Sequence, residues 1–317
     1  MRRIGILTRD CAGINACIRA VVRTASFYNI EVVGIFRGYE GLIRGETKVL
    51  TRRSVSGIIS LGGSILKTAR CKAFFTSQGQ LRAVKTLKEN GIEGLIVIGG
   101  NGSLKGAYLL FEEYGIPVVG VPATIDNDVN GVDLAIGADT AVNVALDALD
   151  KIRDTATSLE RIFVVEVMGR DCGWLALEVG LAGGCEEVLV PERDFDISKM
   201  CEEITEGNVK GKRSWIIIVA EGKARAADIA NKITEITGLE TRVVVLGHIQ
   251  RGGSPTRRDR ILAAQLGSYA VEILRRGERG VCVIQKEGIL STIPLREAVK
   301  PKEIKVDNYY KLIKILM

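Results

Sequence analysis

Short, β-branched apolar runs alternate along this chain with stretches whose apolar residues recur every three or four positions. The run RRIGILT is followed by INACIRAVVRTASFY, where Ile14, Ile18 and Val21 or Val22 share one helical face, and then by IEVVGIF. QLRAVKTLKENG reads as a helix closed by Gly91, ahead of the strand IEGLIVIG. SLKGAYLLFEEYG is a further helix and IPVVGVP a further strand. Past residue 138 the pattern continues with helix TAVNVALDALDKIRDTA, strand RIFVVEVMG, helix GWLALEVGLAGG and strands EEVLVPE and SWIIIVAEG. Strand and helix alternating at this pace predict an α/β fold, with mostly parallel sheets covered by helices on both faces.

The 317 residues suggest two domains of roughly 150 each. No internal repeat, linker or low-complexity segment stands out. The one candidate boundary, TIDNDVNGVDLAIG, reads as a functional loop. In such sheets ligands sit beyond the carboxyl ends of the strands, so the strand-end loops hold the candidate chemistry.

Composition narrows the function classes. With 46% hydrophobic and 26% charged residues the chain is an ordinary globular protein. Its apolar runs are far shorter than the ~20 residues of a membrane span, and MRRIGILT reads as a first strand rather than a signal peptide. A cytoplasmic protein with no membrane partner is expected. Seven cysteines without a CxxC pair, and a single histidine, fit reduced thiols and offer no zinc constellation. Cys11, where a helix is expected to begin, reads as a small buried residue. The net charge of +6 is scattered in ones and twos and aromatics are only 5%, which favours small phosphorylated ligands over nucleic acid.

Three strand-end segments carry chemistry. IGGNGSLKG, residues 98–106, delivers a strand into a glycine-rich turn. There Gly99, Gly100 and Gly102 have no Cβ to block the approach of phosphate oxygens to backbone N–H groups. Asn101 is the oddity, because such loops usually keep a carboxylate near the Mg²⁺. VPATIDNDVNG, residues 121–131, places Asp126 and Asp128 two residues apart in an irregular loop. One carboxylate can accept the proton of an attacking hydroxyl while the other orients it or helps hold a metal. The same spacing suits an Asx-rich turn capping the helix after Gly137, and spacing alone leaves both readings open. LGHIQRGGSPTRRDR, residues 246–260, offers His248 and Arg251 with paired glycines as a grip on a phosphate or sugar, although a lone histidine also reads as structural. VMGRDCG adds Arg170 directly after a strand end.

Taken in order, GGNGS, TIDND, MGR and GHIQRGGSP resemble the bacterial-type 6-phosphofructokinases over essentially the whole chain. A GGxGS loop alone is shared with NAD kinases and lipid kinases, whereas TIDND with GHIQRGGSP is specific. The resemblance implies transfer of a phosphoryl group from ATP to the 1-hydroxyl of fructose 6-phosphate, a step of glycolysis, with Mg²⁺ as cofactor. It implies two doubly wound domains: residues 1–137 plus 250–300 binding the donor, and 138–249 plus 301–317 binding fructose 6-phosphate.

Carried over by position, Asp126 resembles the catalytic base, with Thr124 and Asp128 beside it. Arg170 and Arg70 resemble the arginines near the transferring phosphoryl group. Met168, Gly169, Glu221, His248 and Arg251 match the sugar-phosphate pocket, which Arg161 and Arg242 reach from a neighbouring subunit in that family, implying a homotetramer. The implied donor set is Arg9, Asp10, Tyr39, Lys72, Gly100, Asn101, Gly102 and Ser103, with Asn101, weakly, and Asp128 on the metal. Arg19, Arg23, Arg52, Arg153, Gly184, Glu186, Lys210 and Lys212 resemble an effector site for a nucleoside diphosphate such as ADP or for phosphoenolpyruvate. Each alone also reads as surface charge. Gly57 stands where the family has an acidic residue that helps hold the effector's metal.

The donor side departs from the family. The pattern S-G-G-D-x-P-G-x-N is two residues shorter here, as TRDCAGIN, keeping Asp10, Gly13 and Asn15 but with Arg9 in a glycine's place. Asn101 replaces an aspartate, and CKAFFTSQGQLR does not align cleanly. Losing one negative and gaining one positive charge leaves the site about two units more positive, which suits a kinase with a looser metal requirement. A subunit that has lost its donor site and only senses effectors is the second reading. Pyrophosphate-dependent relatives carry aspartate at the position of Gly102 and lysine at that of Ala123, so ATP is the expected donor and pyrophosphate the alternative. A dehydrogenase needs G-x-G-x-x-G after the first strand, and LTRDCAGIN does not supply it.

Overall fold

The computed structural model describes residues 1–316. The chain forms two compact units, residues 1–140 with 251–302 and residues 141–250 with 303 onward. The first unit begins with β1 (Arg3–Thr8), α1 (Ile14–Phe27), β2 (Glu31–Ile35), α2 (Tyr39–Arg44), β3 (Thr47–Leu50), α3 (Ser77–Glu89), β4 (Gly94–Gly99), α4 (Asn101–Tyr114) and β5 (Val118–Pro122). The second is built from α5 (Ala138–Leu159), whose first turn still belongs to the first unit, and then β6 (Ile162–Val167), α6 (Trp174–Ala182), β7 (Glu187–Leu189), α7 (Ile197–Val209), β8 (Trp215–Ala220), α8 (Ala226–Thr237) and β9 (Thr241–Val245). The chain returns to the first unit for α9 (Arg257–Arg275), β10 (Val281–Lys286), β11 (Ile289–Pro294) and α10 (Leu295–Ala298), and ends in the second with α11 (Asp307–Leu316).

The first unit's sheet runs β11-β10-β5-β4-β1-β2-β3. Its centre is parallel, and every residue of β4 is buried, as expected for a strand covered on both faces. Antiparallel strands finish both edges. The β10–β11 hairpin turns on Glu287 and Gly288, whose φ of 50° and 82° suit a two-residue primed turn. α9 lies close on α1 because Gly267 has no Cβ: one there would sit 2.9 Å from the Cys17 carbonyl oxygen.

The second unit's sheet, β7-β8-β6-β9, is wholly parallel. Its buried centre is WIIIVA, and its core joins Met200, Ile204 and Trp215 with Ile229 and Ile233. α11 is fastened by the Tyr310 hydroxyl, which donates to the Val188 carbonyl, with the Arg193 guanidinium 4.1 Å from the Tyr310 ring centroid. All seven cysteines are free thiols, and Cys11 is buried as expected. Among the described residues no helix is long and apolar enough to cross a membrane.

Candidate active site

Three neighbouring strands of the first unit, β1, β4 and β5, end side by side, and their loops are tied together. Arg9 N donates to the Ile98 carbonyl (3.0 Å) and Ala123 N to that of Gly99 (3.1 Å). The turn after β4 is a single residue, Gly100, so Asn101 already opens α4. The three glycines of this turn do not share one duty, which corrects the sequence reading. A Cβ on Gly99 would lie 2.6 Å from Ser103 Oγ, and one on Gly100 would lie 3.0 Å from Thr124 Cβ, so these two allow protein to pack on protein. Gly102 alone faces open space. Its neighbour Ser103 is buried within the first turn of α4.

Asn101 is tied to the acidic loop. Its Nδ2 donates to Asp128 Oδ2 (2.8 Å) and to the Asp128 carbonyl (3.1 Å). Asn101 Oδ1 and Asp128 Oδ1 are buried with no hydrogen-bond partner. No cluster of three or more His, Cys, Asp or Glu fit to hold a metal occurs among the described residues.

The loop is braced by the residue between the two aspartates. Asn127 is fully buried with φ 49°, a left-handed conformation that asparagine tolerates. Its Oδ1 accepts from Ala135 N (2.9 Å) and its Nδ2 donates to the Asp133 carbonyl (3.0 Å). Thr124 Oγ1 accepts from the backbone of Asp126, which is 4% exposed. The expected alternative, an Asx cap on the helix after Gly137, is not what forms. Gly137 N (2.9 Å) and Thr140 N (2.8 Å) donate instead to the buried carboxylate of Asp259, from α9. Burial pushes that carboxyl up despite these bonds.

The remaining expected donor residues fall into supporting and exposed groups. Arg9 Nη1 donates to Thr68 Oγ1 (3.2 Å) and the Ala69 carbonyl (3.0 Å), so it holds the segment that leads to Arg70. Asp10, Arg70 and Lys72 are exposed. Tyr39 is corrected from ligand contact to support: its ring is 9% exposed and stacked on Phe74, and its hydroxyl donates to the Ser103 carbonyl (2.7 Å) beneath α4. Asn15 pins residues 61–65, donating to the Leu61 (3.1 Å) and Gly62 (3.0 Å) carbonyls and accepting from Ile65 N (2.8 Å). Gly62 packs against the paired glycines after Arg251: a Cβ on Gly62 would lie 2.5 Å from the Gly253 oxygen. Arg251 is half-buried, with Nε lacking a hydrogen-bond partner.

In the second unit the loops after β6, β8 and β9 meet. Glu221 N donates to the Val167 carbonyl (2.9 Å) and Leu246 N to that of Glu166 (3.0 Å). Gly169 has φ 141°, and Arg170 has φ 53° with its N–H donating to Glu221 Oε1 (3.0 Å). Gly222 permits this turn, since a Cβ there would fall 1.7 Å from the Arg170 carbonyl oxygen. Met168 is buried, and its N–H donates to Gln250 Oε1 (2.9 Å). His248 is exposed on the turn Gly247–Arg251, which rules out a core histidine. Arg161 and Arg242 converge on one carboxylate, Glu240, the former at 2.8 Å.

The effector set divides. In the second unit Arg153 Nη2 donates to the Gly184 carbonyl (2.8 Å), and Lys212 pairs with Glu186 (3.0 Å), whose other oxygen accepts from Ile216 N (2.7 Å). Lys210 is exposed and pairs with Glu206 along its own helix. In the first unit Arg19 and Arg23 lie on α1, and Arg52 is exposed on the turn before Gly57. The left-handed φ of 73° at Gly57 favours glycine over the acidic residue of the family pattern.

Sequence reasoning missed Asn127, Gln250, Asp259 and Lys302. Asn127 carried a signal, an asparagine in a polar turn. The other three act through contacts distant in sequence, which no local pattern announces.

Two α/β units with chemistry at the strand ends, one holding a glycine turn against an acidic loop and the other an arginine-bearing turn, define a phosphotransferase fold. The chain belongs to the phosphofructokinase family, whose profile matches residues 3–274. It is 51% identical over 318 residues to the ATP-dependent 6-phosphofructokinase of Bacillus subtilis, covering 100% of this chain and 99% of that one. Its fold matches phosphofructokinase from Saccharomyces cerevisiae at a TM-score of 0.87 and 35% identity, covering 100% of this chain and 47% of the yeast chain. A pyrophosphate-dependent phosphofructokinase from Marinobacter aquaeolei shares the fold at 22% identity and a TM-score of 0.85, covering 100% of this chain and 91% of that one.

Proposed function

We infer that this chain is an ATP-dependent 6-phosphofructokinase, transferring a phosphoryl group to the 1-hydroxyl of fructose 6-phosphate. The observation that carries the chemistry is the acidic turn, in which the Asn127 amide does the bracing while Asp126 and Asp128 flank it. Asp126 accepts the proton of the attacking hydroxyl, Thr124 fixes its backbone, and Arg70 and Arg170 neutralise charge on the phosphoryl oxygens. Little covalent chemistry is needed from the protein, only in-line positioning. The first unit takes the donor. The second takes the sugar phosphate through the Met168–Arg170 turn, Glu221 and His248, and Arg251 is a further candidate contact. Arg161 and Arg242, gathered on Glu240 at the exposed edge of the smaller sheet, serve a neighbouring subunit in a homotetramer. For an effector such as ADP or phosphoenolpyruvate, the candidate contacts are Arg153, Gly184, Glu186, Lys210 and Lys212 in the second unit and Arg19, Arg23 and Arg52 in the first. A cytoplasmic enzyme with reduced thiols fits the seven free cysteines.

Two features favour ATP over pyrophosphate. Gly102 faces open space that an aspartate side chain would fill, and Ala123, bonded to the Gly99 carbonyl, puts no cation beside the turn. The residues also fit Mg²⁺. Asn101 Oδ1 and Asp128 Oδ1 are hard oxygen donors with no other partner, and Mg²⁺ is commonly held by one or two protein oxygens with waters and phosphates completing its shell. Bound there, Mg²⁺ would neutralise charge on the donor phosphates. With one carboxylate instead of two, Asn101 and Asp128 would hold it loosely.

Steady-state kinetics of Asp126→Ser test the assignment. Once the parent is shown to turn over ATP and fructose 6-phosphate, the variant is expected to lose at least ~10² in kcat while KM for the sugar phosphate stays nearly unchanged. Equal turnover in the two proteins removes Asp126 from the mechanism.

A further inference from the structure

The loop that carries the acidic turn is gripped at its neck by one ammonium group. Lys302 Nζ donates to the carbonyl of Asn127 (2.8 Å) and to that of Val132 (2.7 Å), and the neighbouring Pro301 forms an antiparallel bridge with Val129. Asn127 braces the same loop through its side-chain bonds to Asp133 and Ala135. The loop is thus held by an amide on one set of groups and by a half-buried cation on another. The Asn127 carbonyl belongs to the peptide group that joins Asn127 to Asp128. Rotating it swings the Asp128 backbone directly, and it turns Asp126 through the left-handed Asn127.

We propose that Lys302 is a positioning residue for phosphoryl transfer, its ammonium fixing the Asn127 and Val132 carbonyls and thereby the direction of the Asp126 and Asp128 carboxylates. The proposal rests on the phosphofructokinase reading, because it gives those carboxylates work that depends on their aim. Two charge-assisted bonds to one nitrogen close the loop more firmly than neutral bonds of the same length. Displacing a reacting group by about 1 Å costs on the order of 10² in rate. Lys302 is also the last residue of the first unit before the chain passes to the second, where Tyr310 anchors the C-terminal helix. The clamp therefore depends on a segment far in sequence from the loop it serves.

The full chain carrying Lys302→Met, which keeps the apolar stem and removes the ammonium, is compared with Lys302→Arg and the parent. Lys302→Met is expected to lower kcat about 10- to 100-fold. Its KM for fructose 6-phosphate and ATP should stay within about threefold of the parent's, and the stoichiometry of fructose 6-phosphate binding by calorimetry should be unchanged. Hydrogen exchange across residues 126–133 should quicken, and Lys302→Arg, which restores charged donors, should recover most of the lost kcat. The proposal is overturned if Lys302→Met keeps the parent's kcat and exchange. It is equally overturned if both variants lose activity in step with binding stoichiometry, since that marks a folding defect. A parent that transfers no phosphoryl group defeats the functional reading, and the exchange of the loop then still decides whether the clamp exists.

Discussion

At the scale of single residues, Asn101 shows how one amide can stand in for a carboxylate without copying it. An aspartate beside Asp128 would place two negative charges within hydrogen-bonding distance, a pairing that a cation must relieve. Asn101 instead donates to Asp128 Oδ2 at 2.8 Å and keeps the loop in place without one. Asn101→Asp is therefore expected to raise kcat, by at most about 10² if the lost carboxylate equals one preorganised electrostatic contact. It should also steepen the dependence on Mg²⁺, and Mg²⁺ with ATP should raise the melting temperature of the variant more than that of the parent. Unchanged Mg²⁺ responses in both assays would mean that Asn101 lies outside the metal's reach. Arg9 teaches the opposite lesson: its charge was legible, but its bonds to Thr68 and Ala69 tie it to the Arg70 segment.

At the scale of elements, the strand-end turns depend on residues that permit close packing or cap a helix. Gly222→Ala puts a methyl where the Arg170 carbonyl lies, so the β6 turn must move. The expected result is a rise in KM for fructose 6-phosphate with little change in KM for ATP, and parallel changes in both would point to a wider defect. Asp259, which caps α5, gives a pH signature. Burial raises its folded-state pKa above the unfolded value, so the folded chain binds the proton more tightly, and this contribution to stability is largest at low pH and declines as pH rises through the folded pKa. As pH falls from neutrality toward the ordinary carboxylate value, the parent's melting temperature should therefore gain on that of Asp259→Asn, which cannot titrate. A gap that narrows on acidification would contradict the assigned direction. The alternation of apolar runs and helical faces made the buried strands and their helices readable from sequence, because burial on both faces leaves a continuous apolar signature. β9 escaped because it lies at a sheet edge with Val243 and Val245 exposed. The motifs that hold Asp126, Asp128 and Arg170 were legible, since each is local in sequence. The bonds from Asp259 and Lys302 were not, because they close across more than a hundred residues.

At the scale of the whole molecule, the chain passes between its two units at residues 140, 250 and 302, so each unit is completed by a segment distant in sequence. The first carries the glycine turn and the acidic loop, and the second carries the arginine turn. The central claim is that ATP is the donor and fructose 6-phosphate the acceptor. It is tested most directly by following fructose 1,6-bisphosphate formation with fructose 6-phosphate held at saturation and ATP compared against pyrophosphate, with and without Mg²⁺. The account predicts product from ATP with Mg²⁺ and next to none from pyrophosphate; pyrophosphate outperforming ATP, or no transfer from either, would contradict it.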